Sequence, residues 1–167
     1  MLNIRPQNLA GDLIAIGRLN AAAFAEHGGT EAFDRFRAER NDILSLVAEE
    51  DNQILGHVLF SPVMLETPAG VLGGMGLGQL AVLPDRQNQG IGTRLATTGI
   101  EQLRLTDCPF IIVIGHAGYY PRFGFERGAL HNMRSQWQGI PEETFMVLIL
   151  DQEQRKTLSG VASFDGM

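Results

Sequence analysis

Residues 78 to 92 read Gly-Gln-Leu-Ala-Val-Leu-Pro-Asp-Arg-Gln-Asn-Gln-Gly-Ile-Gly, and no other stretch restricts the fold as much. The apolar run Leu80-Ala81-Val82 reads as a strand that must stop at Pro84, whose nitrogen carries no hydrogen for a sheet ladder. Past it, Gly90 and Gly92 leave backbone amides clear of side-chain bulk where a helix from about Ile91 to Leu105 begins. In that helix Ile91, Leu95, Gly99 and Leu103 recur at steps of four, a narrow stripe able to lie on a sheet. Gly99 costs roughly 1 kcal/mol against alanine, which points to close helix–sheet contact. Pro109 then opens the buried-strand run Phe110 to Ile114. Strand, helix, strand in this order predicts a right-handed crossover and two parallel strands.

The corner at Gly90 suits an anion. The first N–H groups of a helix lack intrahelical acceptors and sit at the positive end of its dipole, so they converge on a phosphate-like group. A glycine corner can equally mark backbone packed tightly on a sheet. Two nucleotide patterns fail on the residues: the dinucleotide fingerprint needs a small residue where Leu95 stands, and a Walker-type loop needs Lys-Ser/Thr where Thr93-Arg94 stands.

Gln87-x-x-Gly90-x-Gly92 after Leu80-Ala81-Val82-x-Pro84 resembles the acetyl-CoA loop of the GCN5-related N-acetyltransferases, the GNAT family. Downstream, Tyr120, Gly124 and Phe125 match that family's Tyr-x-x-x-Gly-Phe after the strand Phe110 to Ile114. Gly115-His116, the Tyr-Pro-Arg-Phe-Gly-Phe string, Trp137-Gln138-Gly139, Pro141 and Phe145 resemble the small bacterial YhbS-like branch. The resemblance implies an α/β fold: a mixed, centrally splayed β-sheet flanked by helices on both faces. It implies acetyl-CoA as cosubstrate and direct transfer of its acetyl group to a primary amine. Leu80, Ala81 and Val82 would bond pantetheine, and Gln87, Asn88, Gln89, Gly90, Ile91, Gly92 and Thr93 the pyrophosphate. Tyr120 would protonate the leaving thiolate.

The remaining chain fits around this centre. Leu2 to Arg5 alternates as a half-buried strand closed by Pro6; Asp12 reads as the cap of a helix carrying Leu13, Ile16, Leu19, Ala23 and Phe24. His27-Gly28-Gly29 reads as its stop, and Glu31 to Arg40 as a second short helix with Phe33 and Phe36 on one face. In the resembled family these two helices shape the acceptor pocket. Ile43 to Ala48 and Gln53 to Leu65 read as a hairpin about an acidic turn, and Phe145 to Leu150 as the last clear strand. Val71 to Val82 is a strand holding Gly73, Gly74, Gly76 and Gly78, read as a bulge, which in the resembled family admits the pantetheine arm, or as edge irregularity. Residues 1–150 are expected to form a single domain, with 151–167 a tail packed on it.

At 167 residues, 44% hydrophobic and 19% charged, the chain suits one globular core. No apolar stretch is long enough to span a bilayer and the N-terminus lacks a signal sequence, so a cytoplasmic location and no membrane partner are expected. A net charge of −6 argues against nucleic acid as a partner. The oligomeric state stays open, a homodimer included.

Transfer to an amine needs a base. Where some members of the resembled family carry glutamate, just before Leu80, this chain has Gln79, which takes no proton at neutral pH. Glu26, His27, His116 and a water remain as candidates. The four histidines show no metal-ligand spacing, so no metal is expected. Two rivals stand beside the enzyme reading: a catalytically silent CoA- or acyl-CoA-binding sensor, and a covalent enzyme using Cys108, which has no adjacent basic residue to stabilise a thiolate.

Overall fold

The computed structural model describes residues 1–26 and 31–164. Its fold is mixed α/β with mostly antiparallel strands, and the chain divides into two compact units, Met1–Phe60 with Gly78–Gln102, and Ser61–Leu77 with Leu103–Met167.

The first unit opens with β1 (Asn3–Pro6), antiparallel to β2 (Leu44–Glu50), which pairs in turn with the first half of β3 (Gln53–Thr67). Asp51 and Asn52 make the two-residue turn between β2 and β3 with φ of 50° and 63°, the left-handed pair a tight hairpin needs. β4 (Gly70–Val82) follows β3 in the strand order. Helix α1 (Leu9–Ala23) is capped by Asn8, whose Oδ1 accepts from the Ala10 N–H at 3.1 Å. The expected cap Asp12 instead lies in the first turn, where it accepts from the Asn8 N–H at 2.6 Å and from Arg5 at 2.7 Å. The earlier polar residue wins because a cap must precede the helix whose orphan N–H groups it satisfies. α1 ends at Ala23 with Phe24 as its C-cap, its N–H donating to the Asn20 carbonyl, before the expected stop at His27-Gly28-Gly29, which lies outside the described residues. α2 is Glu31–Glu39, and α3 is Ile91–Arg104.

The stripe on α3 packs as its spacing predicts. A Cβ on Gly56 of β3 would meet Leu95 at 2.8 Å and Ile91 at 3.0 Å, and one on Gly99 would strike the Phe60 ring. Glycine in mid-helix therefore serves close helix–strand contact.

In the second unit β4 runs parallel to β5 (Phe110–Ile114) through Met75↔Ile111, Gly76↔Ile112 and Leu77↔Val113, the parallel pairing expected from strand, helix, strand. β5 pairs antiparallel with β8 (Phe145–Ile149), and β8 with the short β6 (Glu126–Arg127). β7 (Met133–Ser135) runs parallel to β9 (Gly160–Phe164), which also pairs with the second half of β3. Phe110, Ile112, Phe145, Val147, Ile149, Ala162 and Phe164 belong to one apolar core. The β4 glycines seat rings: a Cβ on Gly74 would lie 2.5 Å from Phe110, one on Gly76 would strike Phe164, and one on Gly78, in the first unit, would lie 2.5 Å from Phe33. Ring packing is thus the physical reason for three of the four strand glycines.

Candidate active site

After β4 the chain makes one 3-10 turn over Pro84–Arg86 and reaches the glycine corner. Gly90 has φ of +81° and Asn88 φ of +60°, so the corner needs left-handed backbone, which costs an ordinary L-residue roughly 1–2 kcal/mol. Space around Gly90 is open: an added Cβ would meet nothing within 4 Å. Gln87, Asn88, Gln89 and Gly90 are exposed, Ile91 is buried, and Gly92 and Thr93 are half-buried in the first turn of α3. The Gln87 Nε2 donates to the Val82 carbonyl at 3.1 Å, tying the loop back to the strand it leaves. Arg86 donates to Glu50 at 2.9 Å and to Gln89 at 3.3 Å, bracing the loop's near side. Upstream, Leu80 and Val82 are half-buried and Ala81 is buried. All of these residues lie in the first unit.

Gln79, on the same strand, is 4% exposed and joins a buried polar cluster. Its Oε1 accepts from Arg37 Nη1 at 2.8 Å and Asn20 Nδ2 at 3.2 Å. Arg37 is 1% exposed and also pairs with Asp34; burial pulls its pKa down from the ordinary value, with Asp34 opposing. The Arg37 carbonyl can only accept, so Gln7 turns its Nε2 to it at 3.4 Å and its Oε1 to the Ser45 hydroxyl at 2.6 Å. Ser45 has then given its proton away, so His57 Nε2, 2.9 Å from Ser45 Oγ, carries the hydrogen and donates. Burial, reinforced by Arg37, pushes the His57 pKa down to about 3, so the ring is neutral at physiological pH. None of this cluster was legible in spacing, since Gln79 stands 42 residues from Arg37 and 59 from Asn20.

Tyr120 lies in the second unit, in a 3-10 turn over Tyr120–Phe123 closed by Gly124 at φ of 95°. Its ring packs edge-on to Tyr119 at 5.2 Å and to Phe125 at 5.8 Å, and a Cβ on Gly115 would lie 2.5 Å from it. Among the described residues its hydroxyl has no hydrogen-bond partner. Burial pushes the phenol up to about 12, with Tyr119 adding to the shift, so the group stays protonated at neutral pH. Gly124 and Phe125 hold the register that the Tyr-x-x-x-Gly-Phe match assumes.

Of the other candidates, Glu26 and His116 are exposed, and His27 lies outside the described residues. The His116 carbonyl accepts from the Tyr119 and Tyr120 amides at 3.0 and 3.4 Å, which makes it a turn-former beside Tyr120. Cys108 is half-buried, donates to the Phe110 carbonyl at 3.2 Å and has its pKa raised by burial, the opposite of an activated thiolate. Among the described residues no three His, Cys, Asp or Glu side chains form a metal-binding group, and no helix is long and apolar enough to cross a membrane.

The model of the Acetyltransferase (GNAT) family matches residues 13–125, more than half of the chain. The chain belongs to that family. GNAT relatives include the uncharacterized N-acetyltransferase YjhQ of Escherichia coli K12, 43% identical over 104 residues; the match covers 60% of this chain and 55% of YjhQ, so the chain spans about half of that relative's length. The uncharacterized N-acetyltransferase YhbS of the same strain is 32% identical over 122 residues, covering 72% of this chain and 71% of YhbS. A crystal structure of E. coli YhbS in complex with CoA superposes with a TM-score of 0.87 at 28% identity, covering 98% of this chain and 89% of that one. A GNAT family acetyltransferase from Brucella melitensis in complex with acetyl-CoA gives 0.80 at 32% identity, covering 99% and 97%. The expected family, branch and α/β class are therefore borne out.

Proposed function

We propose that this GNAT chain is an acetyl-CoA-dependent N-acetyltransferase that moves the acetyl group directly to a primary amine. The observation that carries the reading is the left-handed Gly90 corner opening α3, open to solvent and free of side-chain bulk, directly after β4. The CoA and acetyl-CoA complexes of the YhbS and Brucella relatives support the same cosubstrate. In this reading backbone groups of Leu80, Ala81 and Val82 bond pantetheine as an added strand would, and the amides of Gln87 through Thr93 take the pyrophosphate at the positive end of the helix. The amine attacks the thioester carbonyl, the carbon–sulfur bond breaks, and the Tyr120 phenol gives its proton to the departing thiolate. A hydroxyl with no partner among the described residues and a pKa near 12 suits a proton donor waiting for that charge.

Gln79 accepts two donors and takes no proton, so the amine loses its proton to Glu26, His27, His116 or water, or arrives neutral. Residues 1–150 act as one catalytic domain, with 151–167 its tail, in which β9 pairs with β3. The protein works in the cytoplasm without metal, membrane or nucleic acid, as monomer or homodimer. A CoA sensor without turnover is the alternative, and the unoccupied Tyr120 hydroxyl favours transfer over it.

Acetyl-CoA should raise the melting temperature with dose, while NAD and ATP do much less, because a ligand specific to the folded state stabilises by mass action. Equal stabilisation by all three would reduce the corner to a generic phosphate site. With an accepted amine in hand, Tyr120→Phe should lower kcat about tenfold or more with cofactor affinity nearly unchanged, since the proton is needed in the transition state. A fully active variant removes the general-acid role.

A further inference from the structure

Gln79 is held in one orientation by its partners. An arginine has five donors and no acceptor, so the Gln79 atom facing Arg37 at 2.8 Å must be oxygen, and the Asn20 atom facing that oxygen must be nitrogen. Both acceptor directions of Oε1 are then used. The carboxamide nitrogen points the other way with two hydrogens, and among the described residues it has no partner. It is also absent from the fully enclosed orphan atoms, which among the described residues of the first unit are Asn20 Oδ1, Arg37 Nε and His57 Nδ1. A buried side chain has thus been arranged so that its one reachable polar group is a pair of donors, with a buried cation behind it. The side chain sits on β4 one residue before Leu80 and contacts α1 and α2 through Asn20 and Arg37.

We propose that Gln79 reads the acceptor: its carboxamide N–H groups donate to an oxygen borne beside the reacting amine, so the enzyme selects amines that carry a neighbouring carbonyl or carboxylate over plain alkylamines. The inference rests on the acetyltransferase reading above. Its chemistry is complementary. Two fixed donors in front of Arg37 favour a neutral or anionic oxygen acceptor and reward no second ammonium group. A site built to bond an oxygen rejects the analogue lacking it, because the donors then stay unpaired. Glutamine at this position offers hydrogen-bond donors where a glutamate would offer only acceptors.

The test compares two amines, alaninamide and 2-butylamine, with wild type, Gln79→Met and Gln79→Glu. Methionine has similar length with no donor; glutamate keeps both bonds to Arg37 and Asn20 and turns an oxygen toward the ligand. The readout is the ratio of kcat/KM for the two amines, and comparing that ratio across proteins cancels the difference in amine basicity. It should fall about tenfold in both variants, mainly through KM for alaninamide. Binding gives a second readout that needs no turnover: alaninamide should raise the melting temperature of the CoA-bound wild type and not that of CoA-bound Gln79→Met. A ratio unchanged in both variants, or no effect of alaninamide on the CoA-bound wild type, overturns the proposal. Failure of CoA and acetyl-CoA themselves to stabilise the wild type would instead overturn the acetyltransferase reading.

Discussion

Both units have an apolar core, the first around Ile16, Leu46, Val58, Phe60 and Leu95, but they differ in the polar groups buried with it. The second closes over hydrocarbon: Val63, Leu65, Phe110, Ile112, Phe145, Val147 and Phe164 form a continuous apolar core. The first carries Asp12, Asn20, Arg37, Ser45, His57 and Gln79 at or below 9% exposure, six of the seven buried polar residues among those described; only Ser61 falls in the other unit. Apolar contact is non-directional and tolerates small shifts. Hydrogen bonds in a low-dielectric interior fix one rotamer per residue, and every unpaired atom carries a desolvation cost. Among the described residues of the first unit three such atoms remain, Asn20 Oδ1, Arg37 Nε and His57 Nδ1. Both units cohere through hydrocarbon, and the first adds buried hydrogen bonds that fix orientation at some expense in stability.

Removing hydrocarbon should hurt most. Phe110 is fully buried with its ring against Gly74, so Phe110→Ala should cost about 3–5 kcal/mol in denaturant unfolding. A loss under about 1 kcal/mol would dissolve the contrast between the units. A smaller effect, confined to acid, belongs to His57. Its folded pKa of about 3 lies below the ordinary 6.5, so the unfolded chain takes up a proton across that window. Stability contributed by the neutral ring is complete above about pH 6.5 and is lost as pH falls toward 3, by a few kcal/mol. In His57→Leu the slope of unfolding free energy against pH should flatten over that range. A slope identical to wild type would mean that the ring does not titrate with unfolding. Smallest is Gly90→Ala: left-handed backbone predicts a loss of about 1–2 kcal/mol, with acetyl-CoA affinity reduced by the altered corner. If stability and affinity both match wild type, the corner is more pliant than its φ implies.

What could be read beforehand was local. The α3 stripe, the β4–β5 parallel pair and the glycine corner each come from residues a few positions apart, where spacing maps directly onto geometry. The α1 cap was misplaced because Asn8 and Asp12 are both competent caps, and only the observed start of the helix at Leu9 decides between them. β9 went unread because Gly160-Val161-Ala162-Ser163-Phe164 is short and small, and its burial follows from β3 and β7, which it joins. Gln79 could be recognised as a glutamate position lacking its charge, but its lock required three segments to meet. The strand glycines carried a real signal whose partners were out of sight: the rings of Phe110, Phe164 and Phe33 lie against Gly74, Gly76 and Gly78.

Gly78 has a consequence for how such chains diverge. Phe33 of α2 lies on it, and Arg37, one turn further along α2, reaches Gln79, the next residue of β4. A side chain at position 78 would lift the ring and withdraw the guanidinium with it. Positions 33, 37, 78 and 79 therefore form one heritable character, and lineages should keep or lose aromatic, arginine, glycine and glutamine together. A homologue with glutamate at position 79 should keep the arginine as its counter-ion, whereas one that replaces the glycine should show a different residue at both 37 and 79.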